Sequence, residues 1–109
     1  MSVTNGLRAS VLCQGPAGLV VLAGDLDIAT REIAASAVAE VVALGARVVE
    51  IDMSGVVFCD VVGLGTLINL KRAADVEGVD LFLINVKPGL AHLLTMAGVL
   101  ETLSRLPAG

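Results

Sequence analysis

In the run FCDVVGLGTL, residues 58–67, an acid is followed by two valines and then by Gly63 and Gly65 within an apolar helical pattern. An Asp just before a helix is a good N-cap, because its side chain accepts from the orphan N–H groups of the first turn. The exposed N–H groups and the dipole at such an end favour an anion. The two glycines lack side chains, so another molecule's backbone could approach closely. Yet the first two helical positions, Val61 and Val62, carry only hydrocarbon. Ser54 and Thr66 stand near the run without a recognisable base partner for nucleophilic attack. His92 is alone, beside Leu90, Leu93 and Leu94, and reads as a surface or half-buried histidine. A nucleotide fingerprint would need glycine at Ile68, and the phosphate-binding loop with its Lys is absent. No catalytic residue and no cofactor is expected.

Two further groups of reactive residues stand out. Asp25, Asp27, Asp52 and the pair Lys87-Pro88 fall at or just after predicted strand ends. A response-regulator receiver domain gathers acids and a Lys-Pro at such places, to bind magnesium and accept a phosphoryl group. The match is loose: the first acids are not adjacent, and the chain opens with a hairpin. Solvated loop acids are the plainer reading. Cys13 and Cys59 are far apart in sequence and read as reduced thiols, with a regulatory disulfide between them as the alternative. Two cysteines and one histidine make no ligand set with zinc spacing, so no metal is expected.

The elements that position these residues follow from hydrophobic period and from turn residues. Residues 8–13 read as a strand, 14–18 as a turn, and 19–23 as a short buried strand, hence a hairpin. GDLDIAT, residues 24–30, then places two acids at a strand end. Thr30 reads as an N-cap whose hydroxyl accepts from the first turn, with Glu32 near the positive helix end. That helix runs to Leu44 and stops at Gly45. Its apolar positions reach nearly all round, as in a helix deeply buried or used for contact. Residues 47–53 read as a strand and 54–60 as a loop. The helix from Asp60 ends near Val76 to Gly78, and residues 81–86 form another strand. Pro88 suits a first helical turn. Leu90, Leu93, Leu94 and Ala97 then keep the helical template, with Gly98 as its cap. A last short helix holds Leu100, Leu103 and Leu106. The first seven and last four residues read as frayed ends. The order β-β-α-β-α-β-α-α predicts an α/β mixed sheet whose later strands pair in parallel through right-handed crossovers.

Composition sets the outer limits. At 109 residues the chain reads as one domain, 56% hydrophobic but only 2% aromatic, so its core is aliphatic. The net charge of −4 argues against a nucleic-acid binder, and the basic pair Lys71-Arg72 has Asp75 and Glu77 beside it. The longest apolar run, residues 33–46, contains Glu40 and falls short of the roughly 20 residues a span requires. No secretory signal is evident near Arg8. A cytoplasmic protein without a membrane span is the expectation.

Three segments together resemble the STAS domain: GDLDIAT, VVEIDMSGVVFCDVVGLGTL and LINVKPGLAHLLTMAGVL. The likeness covers roughly Ser10 to Leu106 and is nearest to stand-alone bacterial anti-sigma factor antagonists. It implies a single STAS domain over residues 1–109, core about 8–106, with a four- to five-stranded mixed sheet flanked by helices. It implies no catalysis. Such antagonists dock on a serine kinase that doubles as an anti-sigma factor, and docking releases the sigma factor in a partner-switching form of transcription regulation. In the family the kinase phosphorylates the hydroxyl directly after the Asp of an Asp-Ser-Ser-Gly or Asp-Thr-x-Gly motif, which blocks docking. Here Asp60 and Gly63 match, but the phosphoacceptor position is Val61, which cannot carry phosphate. The contact surface expected from the likeness is Asp25, Asp27 and Thr30 with Asp60, Val61, Val62, Gly63 and Thr66. A homodimer is left open. The alternatives are a STAS subunit of another assembly, such as a lipid-transport ATPase complex or a signalling scaffold, and a phosphoryl-accepting or nucleotide-binding domain.

Overall fold

Strict alternation builds the first strand. In β1 (Leu7–Gln14) the odd-numbered residues Leu7, Ala9, Val11 and Cys13 pack on the core, while Arg8, Ser10, Leu12 and Gln14 face solvent. The computed structural model describes residues 6–103. A two-residue turn, Gly15-Pro16, joins β1 to β2 (Ala17–Leu26), and Gly15 supplies the positive φ of 55° that the turn requires. The chain continues through α1 (Arg31–Ala43), β3 (Val48–Cys59), α2 (Val61–Val76), β4 (Asp80–Ile84), α3 (Pro88–Met96) and α4 (Leu100–Leu103). The sheet order is β1-β2-β3-β4, with β1 antiparallel to β2 and the other two pairs parallel. The predicted element order and mixed sheet are therefore present, with four strands.

The core is aliphatic, as the composition requires. Val20, Leu22 and Leu26 from β2, Val49, Ile51 and Met53 from β3, and Leu81 and Leu83 from β4 are sealed beneath the helices. The apolar character of α1 is spent on burial of Ala34, Ala37, Val38 and Val41, at helical spacing. The helices α1, α2 and α3 close the same way: the backbone N–H of Ala46, Val79 and Val99 returns to Val41, Ala74 and Leu94, across Gly45, Gly78 and Gly98 at positive φ. Lys71, its side chain largely covered, pairs with the exposed Asp75 at 3.2 Å along α2.

Three strands differ in extent from the sequence reading. Residues 54–59 are strand, not loop: β3 continues beside β2 as far as Cys59↔Leu26. Register shifts between Val21 and Ala23, and between Gly24 and Asp25, absorb the irregularity that Ser54-Gly55 signals. A Cβ at Gly55 would sit 2.8 Å from the Leu22 carbonyl oxygen, so only glycine fits there. In turn β2 is longer than residues 19–23, and Asp25 lies within it rather than after it. The last strand is shorter than residues 81–86, because Asn85 turns the chain with φ 56°. Leu106 lies outside the described residues, as do most of the predicted frayed ends.

Asp52 fixes the point where β3 and β4 part. Its Oδ1 accepts the Ser54 backbone N–H at 2.9 Å and the Asn85 side-chain amide at 3.2 Å. The Ser54 bond first, and the Asn85 bond after it, hold this carboxyl below its ordinary value. A folded-state pKa lower than the unfolded one stabilises at pH values above the unfolded pKa, and the benefit is lost as pH falls through the folded value. The gap in urea midpoint between the wild-type chain and Asp52→Asn is therefore expected to hold steady from neutral pH to about 5 and to close below about pH 4.

Candidate protein-docking site

The parallel strands β2 and β3 end side by side, and both site segments leave from those ends. Asp60 has extended backbone, φ −94° and ψ −171°, and its Oδ1 accepts the Gly63 N–H at 2.8 Å. It is thus the N-cap that the sequence predicts. Its own N–H reaches the Leu26 carbonyl at 3.4 Å, pinning the start of α2 to the end of β2. Asp60→Ala is expected to lower stability by about 0.5–2 kcal/mol, and Asp60→Asn by much less, in urea unfolding.

Gly63 serves the fold rather than a visitor. It is buried, and a Cβ there would overlap the Leu26 carbonyl oxygen and crowd the Cys59 sulfur. The expected close approach is real, but it is made by this chain's own β2. Gly65 meets nothing.

The side chains on the tip divide by exposure. Val61 is 83% exposed. Val62 and Thr66 are half-buried, and the Thr66 hydroxyl donates back to the Val62 carbonyl at 3.0 Å. In the neighbouring loop, Asp27 Oδ1 accepts the backbone N–H groups of Ala29 and Thr30, which folds the loop tightly on itself. Thr30 occupies the N-cap position of α1, but its hydroxyl does not cap the helix. It donates to the Asp25 carbonyl at 2.7 Å and accepts from the Asp27 N–H at 3.0 Å. At 5% exposure it shapes the loop from within and offers a partner no surface.

Three exposed apolar residues at this end escaped the sequence reading. Ile28, at the loop apex, is 63% exposed, Phe58 is 52% exposed, and Val57 is more exposed still. Phe58 pairs in register with Asp25, so it stands on the strand end beside the acidic loop. Alternation would not have found Phe58 even with 54–59 read as strand, because the extra residue near Val57 leaves two successive residues, Val57 and Phe58, exposed. The exposed hydrocarbon of Ile28, Phe58 and Val61 thus lies in segments at this end of the sheet that also carry the carboxylates Asp25, Asp27 and Asp60. Such a surface binds by burying apolar area, with charge setting partner choice.

The cysteines do not form one site. Cys13 pairs with Gly18 and Cys59 with Leu26, eight residues apart along β2, so roughly 26 Å separates them. A disulfide needs Cα atoms within about 7 Å. The Cys13–Cys59 switch is therefore corrected: the two thiols of one chain cannot bond. Burial, and then the Asp60 charge, push the Cys59 thiol up to about 11, which makes it a poor nucleophile. Among the described residues no group of His, Cys, Asp and Glu is placed to hold a metal ion, and no helix is long and apolar enough to cross a membrane.

The STAS domain family matches residues 8–107. The chain belongs to the STAS domain family. No curated protein sequence matches it. Among solved structures, this STAS domain is similar to an anti-sigma factor antagonist from Mycobacterium paratuberculosis, with a TM-score of 0.80 at 21% identity, covering 99% of this chain and 92% of that one. The phosphorylated form of the Bacillus cell fate determinant SpoIIAA matches with a TM-score of 0.70 at 14% identity, over 93% of this chain and 92% of that one. The murine anion transporter Slc26a9 matches with a TM-score of 0.70 at 26% identity, over 81% of this chain but 15% of the transporter. These likenesses establish the STAS fold of the domain.

Proposed function

We propose that this STAS domain is a non-catalytic protein-binding module of the anti-sigma antagonist type, docking on an anti-sigma factor with serine-kinase activity in the cytoplasm. The observation that carries the reading is the exposed Val61 at the capped start of α2. In the family that position bears the hydroxyl a kinase phosphorylates, and a phosphate there would add nearly two negative charges. Valine cannot take phosphate, so the tip keeps its docking-competent, apolar state. The contact surface comprises Val61, Ile28 and Phe58, rimmed by Asp25 and Asp27. Asp60, Gly63 and Thr30 hold the two segments in place, and Val62 and Thr66 are partly available at the helix flank.

The likeness to the two antagonist structures over more than nine-tenths of their length supports this reading, as does the match between Asp60-x-x-Gly63 and the family motif. The test is to mix the recombinant domain with the serine-kinase anti-sigma factors of its own genome and ATP. The wild-type domain should bind one of them and take no phosphate, while Val61→Ser should take one phosphate at residue 61. Phosphate on the wild-type domain, or no binding to any of them, overturns the reading.

A second reading has one observation in its favour. The Slc26a9 match places a STAS domain as a small part of a larger transporter chain, so this domain would serve as a subunit of another assembly. Capture of a transporter component instead of a kinase would favour it. The phosphoryl-accepting alternative is weakened, because the Asp52 carboxylate is engaged by Ser54 and Asn85.

A further inference from the structure

The ladder between β3 and β4 ends at Asp52↔Ile84, yet β3 continues for seven more residues, 53–59, held only by β2. The left-handed Asn85 turns the chain away, and the Asp52 carboxylate, gripping Ser54 and Asn85, fixes the point of departure. Past that point, among the described residues, the backbone groups of β3 that face away from β2 have no strand beside them. An open edge of this kind is a template for another extended chain.

Beside that edge lies a groove of about 430 Å³, between residues 53–59 and α3. Val57, Phe58, Leu90 and Leu93 give it apolar walls. Lys87 is the one cation in its lining, is exposed, and makes no ion pair among the described residues. The rest of the chain is acidic overall, so this corner runs against the general charge.

We infer that the groove accepts an extended segment of a partner protein, which adds as a strand along residues 53–59 and sets a carboxylate against Lys87. Backbone hydrogen bonds supply the affinity of such an addition, and pockets for alternate side chains supply its selectivity. A helix or a small apolar ligand would leave the edge groups unmet. A second copy of this chain fits poorly: its own edge strand β1, LRASVLCQ, carries Arg8 and no acid to meet Lys87. The partner segment is therefore apolar at alternate positions and acidic at one end. This surface shares Phe58 with the contact surface above but does not include Val61, so a substitution at Val61 separates the two.

The test uses the full chain, isotope-labelled, and a blocked synthetic peptide, acetyl-Glu-Val-Thr-Val-Thr-Val-amide, at millimolar concentration. Its amide signals at residues 53–59 and at Lys87 should shift, and the edge-facing amides should exchange with solvent about tenfold more slowly. The same peptide N-methylated on alternate residues should do neither, and Lys87→Glu should weaken binding about fivefold. Val61→Asp should leave the effect intact. Unchanged signals at 53–59 overturn the inference, as does equal binding by the N-methylated peptide. So does slow exchange at 53–59 without peptide that vanishes on dilution, which would assign the edge to a second copy.

Discussion

Gly63→Ala is expected to destabilise the domain by about 1–3 kcal/mol, while Gly65→Ala, two residues on in the same helix, is expected to stabilise it by about 0.5–1 kcal/mol. Both replace a helical glycine by the best helix former, so propensity alone favours both by roughly 1 kcal/mol. Packing separates them. The new methyl at residue 63 would overlap the Leu26 carbonyl oxygen, which is itself bonded to the Asp60 N–H. Relief requires α2 to lift away from β2, which breaks the pin at the start of the helix. At residue 65 the methyl meets nothing within 4 Å. In thermal unfolding the first variant should melt roughly 4–15 °C lower and the second a few degrees higher. Equal shifts of the same sign would show that α2 does not seat against the end of β2.

The second large effect is on docking. Val61→Asp should cut affinity for the kinase partner by about 2–4 kcal/mol, roughly 30- to 1000-fold, because a desolvated charge replaces a central apolar anchor. The fold should not suffer. Val61 is exposed, and an acid at the first position of a helix gains about 0.3–1 kcal/mol from the dipole. A melting temperature equal to or above that of the wild type, together with lost binding, is the expected pair of results from calorimetry and titration. Val61→Ala, which trims apolar area without adding charge, should fall between. Undiminished binding by Val61→Asp would remove the helix tip from the interface.

Much of the fold was legible because local signals agreed with it. The hairpin, the three longer helices and their glycine ends follow from period and from residues that cannot be helical beyond those points. The Asp60 cap was legible because it is set within four residues, whereas the close approach that requires Gly63 is made to Leu26 on β2 and is tertiary. The misreadings have a common cause. Ser54-Gly55 signals a break, but β3 absorbs it as one extra residue opposite Val21–Ala23 and another opposite Gly24–Asp25, and its pairing with β2 continues past both. Thr30 stands where a cap belongs, yet the bend of residues 25–30 offers its hydroxyl the Asp25 carbonyl instead.

By itself the amino-acid order determined which segments are strand and which are helix, since these depend on periodicity, chain stiffness and turn chemistry over a few residues. It also determined that the position after Asp60 cannot be phosphorylated, because that is a matter of side-chain chemistry alone. The tertiary structure decided which glycine is indispensable, which apolar residues are left in water at the strand ends, and that the two thiols, on β1 and β3, stand beside opposite ends of β2. Those properties depend on distances between segments remote in sequence, and such distances exist only once the sheet has formed.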